Sequence, residues 1–148
     1  MNLYAERAPF IALVDDDQHS AQLLTRMLLA HGAPAIQWYG GASDGQTMLT
    51  AVLGDVSGRR PSLVIVDLKA HSASNLEFLR ATQSLLRQTS IPVAVMVQSG
   101  ESNHRDTLLA AGATAVFLRH AELDAYRREA AGLVSFWARS QRLEAVGM

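Results

Sequence analysis

The chain has 148 residues, with thirteen Lys and Arg against fourteen Asp and Glu, a net charge of −1 and no cysteine. Such a length suits one domain with a full core, and the near-neutral charge excludes the broad basic field that nucleic acid would need. Disulfides and thiolate metal sites are excluded as well, residues 1–9 lack a signal-type apolar stretch, and the longest apolar run, residues 91–97, is far short of a bilayer span. The expectation is a cytoplasmic protein with neither nucleic acid nor membrane as a partner.

The first element is a short run of branched apolar residues, Ile11-Ala12-Leu13-Val14, that ends in Asp15, Asp16 and Asp17. A run of this kind reads as a strand buried on both faces, as in parallel α/β sheets. Leu24, Met27, Leu28 and His31 then recur at helical spacing before Gly32. Pro34 opens a second strand over residues 35–39. Ser43 or Asp44 is the expected cap of a second helix, with Met48, Leu49, Val52 and Leu53 facing inward. A glycine- and arginine-rich loop at 54–61 precedes the third strand, Leu63-Val64-Ile65-Val66, which runs into Asp67.

A third helix is expected over residues 75–86, with Leu76, Leu79 and Leu86 on one side. The fourth strand covers 93–97 after Ile91-Pro92, where proline gives up no essential ladder bond. Leu108 and Leu109 mark a fourth helix ended by Gly112, and residues 115–118 form the last strand. A final helix from about Leu123 carries Tyr126, Ala130, Leu133, Val134 and Trp137 on one stripe. Five strands alternating with five helices predict an α/β fold with a doubly wound parallel sheet, flavodoxin-like, in the order 2-1-3-4-5. In that order the ligand-binding crevice lies between the first and third strands, the two that end in acids.

Clustered carboxylates repel, so a site that gathers them holds a proton or a cation. An all-oxygen donor set suits a hard ion such as Mg²⁺, expected here as a weakly bound cofactor on Asp15, Asp16, Asp67 and the main-chain carbonyl of Lys69. Asp67 would keep one oxygen free for attack on phosphorus. The Lys69 side chain is read as a solvated loop lysine, the alternative being that it leans over the acids in place of a metal. The histidines at 19, 71, 104 and 120 are read as solvated.

On these residues the chain resembles the response-regulator receiver family over nearly its whole length. The resemblance maps the family's acidic pair to Asp15 and Asp16, its phosphoacceptor to Asp67 and its carbonyl metal ligand to Lys69. It extends to Ile91-Pro92-Val93, to Ala111-Gly112-Ala113 and to a basic residue, Arg119, at the end of the fifth strand. The single-domain regulators that accompany phytochromes and related histidine kinases look similar still. They share the enlarged segment before the third strand, Arg60-Pro61-Ser62-Leu63, Glu122-Leu123-Asp124 and Phe136-Trp137. The resemblance implies one receiver domain, its core at about residues 9–143. It implies a phosphoprotein that is not an enzyme beyond handling its own phosphoryl group, with a histidine kinase or phosphotransfer protein upstream and a protein partner downstream.

Several positions depart from the family. Val97 stands where the family has a switch threonine or serine, and valine has no hydroxyl for a phosphoryl oxygen. Arg119 replaces a lysine, a planar fork in place of a compact ammonium. His120 replaces a proline, and the loop 68–75 lacks the family's proline and glycine. Two alternatives are therefore weighed: a phosphate-switched regulator and a degenerate receiver acting as a dimerising scaffold. A small phosphatase using Asp15 and Asp17 is set aside, because no later acid pair or cap accompanies them. Leu123, Phe136, Leu143 and Val146 lie beyond the inward stripe of the last helix and are expected to form a partner or homodimer surface.

Overall fold

A computed structural model describes residues 8–146, apart from the side chains at 102, 103 and 143–146. The elements are β1 (Phe10–Asp15), α1 (Gln18–Ala30), β2 (Ala35–Trp38), α2 (Ala42–Gly54), β3 (Leu63–Asp67), α3 (Ser74–Arg87) and β4 (Val93–Gln98). They continue through a 3-10 segment (Ser99–His104) to α4 (Arg105–Ala110), β5 (Ala115–Arg119) and α5 (Leu123–Val146). The sheet is parallel throughout in the order β2-β1-β3-β4-β5, so the flavodoxin-like expectation holds.

Every residue of β1 and β3 is buried, as two-faced packing requires. Alternation along the strands builds two cores. Ala12, Val14, Val64, Val66 and Val95 pack with Leu49, Phe78, Leu79 and Leu108 beneath α2, α3 and α4. Ile11, Leu13, Leu63, Ile65 and Met96 pack on the other face with Leu24 and Leu28 of α1 and Tyr126 and Leu133 of α5. No helix among the described residues is long and apolar enough to cross a membrane.

Local corrections concern α2. Its N-cap is Gly41, which makes no side-chain cap bond, so neither Ser43 nor Asp44 starts the helix. Within the helix Gly45 packs closely on β1, where an added Cβ would lie 2.8 Å from Val14 Cγ1. That approach turns positions 45, 49 and 53 to the sheet and leaves Met48, expected inside, 41% exposed. The last helix is anchored at two places. Phe136 meets Phe117 of β5 edge to face at 5.7 Å, and the Trp137 indole donates to Ser62 Oγ at 2.8 Å.

Candidate functional site

Asp15 and Asp67 are partners in the β1–β3 register, one at the end of each strand, and both side chains are fully buried. Neighbouring strands lie about 4.8 Å apart, so the two carboxylates stand side by side at the C-terminal rim. Two cations neutralise them. Lys69 Nζ donates to Asp15 Oδ1 at 2.6 Å and to the main-chain oxygen of Asp67 at 2.8 Å, and lies 3.3 Å from Asp67 Oδ2. Arg119 Nη1 donates to Asp67 Oδ1. Burial and the neighbouring Asp67 charge push the Asp15 carboxyl up to about 6, against the downward pull of Lys69 and of the Asp17 N–H.

This corrects the expected role of the Lys69 side chain, which is not solvated in the loop. It is a partly buried ion-pair partner, because two dehydrated carboxylates carry one negative charge more than Arg119 offsets and draw the nearest other cation inward. Asp16 is also placed otherwise than expected. Its exposed carboxylate accepts the N–H groups of Lys69, at 3.1 Å to each oxygen, and of Ala70 at 2.9 Å. The Asp17 carboxylate caps α1, accepting from the N–H groups of His19 and Ser20, so Asp17 touches the acid pair only through its N–H, which donates to Asp15 Oδ1 at 2.9 Å. The donor set drawn up for Mg²⁺ therefore does not fit a metal as arranged. Among the described residues no three His, Asp or Glu side chains are grouped to hold an ion. His19 lies in α1, while His71 and His120 face Glu77 and Glu129 at 3.5 and 3.6 Å.

Beside the ion pairs lies a cleft of about 470 Å³ whose lining includes Lys69, His71, Val97, Arg119 and His120. Val97 sits at its edge, 4% exposed, at the end of the Val93-Val95-Val97 row of the first core. Ser99, the nearest hydroxyl after it, begins the 3-10 segment and is exposed. Two structural residues were not legible in advance. Asn75 is buried, its side-chain oxygen accepting the Leu68 N–H at 2.9 Å and its amide donating to the Met96 carbonyl at 3.0 Å. The chain after Asp67 is thereby bolted to β4. Trp38, half exposed on the edge strand, donates its indole N–H to the main-chain oxygen of Asp15 at 2.8 Å.

Of the expected partner residues, Leu123 is 44% exposed at the start of α5. Phe136 is half-buried and already spends an edge on Phe117. Leu143 and Val146 fall outside the described side chains.

No protein-family model matches the sequence, and no curated protein matches it. Solved structures match its fold. The phosphorylated cyanobacterial phytochrome response regulator RcpA superposes with a TM-score of 0.68 at 20% identity, covering 88% of this chain and 94% of that one. The Mn²⁺-bound form of the response regulator Rcp1 gives 0.68 at 18% identity, over 87% and 94%. RPA3017, a response regulator in red light signalling of R. palustris, gives 0.65 at 18% identity, over 89% and 95%. The chain is similar to these proteins in fold, and the fold it shares with them is the response-regulator receiver fold.

Proposed function

We propose that the chain is a receiver domain of two-component signalling that accepts a phosphoryl group on Asp67 and passes the signal on by protein contact. The donor is a phosphohistidine on a histidine kinase or phosphotransfer protein. An Asp67 oxygen forms the new O–P bond as the N–P bond breaks, and the imidazole leaves with the bonding pair and takes up a proton. The observation that carries this reading is the state of Asp67 itself: a buried carboxylate with Oδ1 held by Arg119 and Oδ2 making no hydrogen bond among the described residues, with the Lys69 ammonium 3.3 Å away as its counter-charge. Arg119, which donates to Asp67 Oδ1, takes the role of neutralising the incoming phosphate charge in this reading. Mg²⁺ enters no step, because the donor set as arranged does not fit it. Incubation with acetyl phosphate and intact mass should show one added phosphoryl group, lost in Asp67→Asn. An adduct that persists in Asp67→Asn would sink the assignment.

The second reading is a degenerate receiver that works as a scaffold, and Val97 favours it. A phosphoryl oxygen finds no hydroxyl there, so its arrival makes few contacts that differ between two conformations. Under either reading the signal leaves through a surface, and we assign that role to the outer side of α5 as an isologous homodimer contact. Leu123, exposed and free of the β5 packing that engages Phe136, is the residue to test. Leu123→Glu should sediment as a monomer at concentrations where the wild type is dimeric, and identical sedimentation of the two would remove this contact.

A further inference from the structure

Among the thirteen Lys and Arg residues Lys69 is the only lysine, and it is the one cation whose ammonium sits between the two buried acids. A compact ammonium with three donors can be surrounded by oxygens as a small cation is, whereas a planar guanidinium cannot. Here the oxygens are Asp15 Oδ1, the Asp67 main-chain oxygen and Asp67 Oδ2. The charges of Asp15, Asp67, Lys69 and Arg119 sum to zero, so a dication entering beside them would leave the cluster strongly positive. Asp16 completes the arrangement by holding the N–H groups of Lys69 and Ala70, which folds the loop back and brings the lysine side chain over the acids.

We propose that Lys69 is a tethered counter-cation that occupies the place of a divalent metal, with Asp16 as the positioning residue that keeps it there. The proposal builds on the reading of Asp67 as the acceptor, but the seat of the lysine is measurable whether or not Asp67 takes a phosphoryl group. A metal ion binds only in the fraction of molecules from which the ammonium has swung out, so its apparent affinity falls in proportion to that fraction.

The test uses Mn²⁺ and Mg²⁺ as probes and Trp38 as reporter, because its indole is bonded to the Asp15 carbonyl. Trp137→Phe isolates its fluorescence. The parent should show no saturable response through the millimolar range. Adding Lys69→Met should tighten metal binding by at least about tenfold, and Asp15→Asn on top of that should abolish it. Saturable binding by the parent as tight as by Lys69→Met would overturn the proposal, and so would a folded Lys69→Met protein that gains no binding.

A measurement on the wild type covers the case in which Lys69→Met does not fold. Lys69 carries the only side-chain amine, so reductive methylation with labelled formaldehyde reports on it directly. The native protein should react at least about tenfold more slowly at this amine than the same protein unfolded in urea. Asp16→Ala should recover most of the difference. Equal rates in the native and unfolded chain would refute the seated ammonium. If Asp67 proves unable to take a phosphoryl group while the amine stays protected, the acceptor reading fails and the counter-cation stands.

Discussion

The two halves of the C-terminal rim are built on different principles. On the β1–β3 half, buried carboxylates are matched one for one by Lys69 and Arg119, and the loop that delivers the lysine is held by Asp16. On the β4 side of the cleft, Val97 is packed into the apolar row of its own strand, and the polar residues after it, Gln98 and Ser99, are exposed. One half is organised by charge balance, so its parts are interdependent. The other is organised by shape, so its parts are exchangeable at small cost. Changes on the first half should therefore be felt as stability, and changes on the second chiefly as response.

Lys69→Met is expected to produce the largest effect. It leaves Asp15 and Asp67 side by side with Arg119 as their remaining cation, and removing one partner of a buried pair costs about 3–5 kcal/mol. Because the lysine side chain is 21% exposed, the lower end applies, about 3 kcal/mol by urea unfolding. Adding Asp15→Asn should recover much of the loss. Strict additivity of the two changes would break the picture of a coupled half-rim.

A smaller effect belongs to pH. The Asp15 carboxyl, ordinarily at 3.8, is raised to about 6 by burial and by Asp67. Between those values the folded chain holds a proton that the unfolded chain has released, so stability from this group falls as pH rises through the window and is constant above it. Urea midpoints at about pH 4.5 and about pH 7 should shift less in Asp15→Asn than in the wild type. The same shift in both proteins would mean that Asp15 does not titrate in this range.

The smallest change in stability is expected from Val97→Thr, about 1 kcal/mol for placing a hydroxyl at the end of an apolar row. Its effect on response should exceed its effect on stability. A threonine hydroxyl offers a charge-assisted bond to a phosphoryl mimic, and the spectral change on adding beryllofluoride should grow. If it does not, the output bypasses this position and the shape-built half is a spectator.

Much of this molecule is written in local pattern. Apolar runs ending at Asp15 and Asp67 mark β1 and β3 because a strand buried on both faces has no polar face to interrupt them. The alternation of strands and helices then leaves few topologies open. What pattern does not carry is the direction of a side chain in a loop. Asp16 and Lys69 stand in the positions read for them, yet one points to backbone N–H groups and the other into the acid pair, which depends on charge balance in three dimensions. Composition held a clue in the solitary lysine. Asn75 was hidden for a related reason: a polar residue at a helix start reads as surface, and its burial follows from two backbone groups on different elements that need a partner. The inward face of α2 differs from its apolar pattern, with Met48 exposed, because Gly45 packs on Val14, a contact between elements and not a feature of the helix sequence.

The bond from the Trp137 indole to Ser62 Oγ joins residues 75 positions apart, whereas the bond from the Trp38 indole to the Asp15 carbonyl joins residues 23 apart. Closing the longer loop costs about 1 kcal/mol more entropy than closing the shorter, and contacts of long separation form after local ones have reduced the distance. The two tryptophans therefore keep time on different stages of self-assembly. In stopped-flow refolding of single-tryptophan chains, Trp38 should report the pairing of β1 and β2. Trp137 should report a later event, the docking of the second half of α5 against the start of β3, so this helix is the part of the domain that a growing chain secures last.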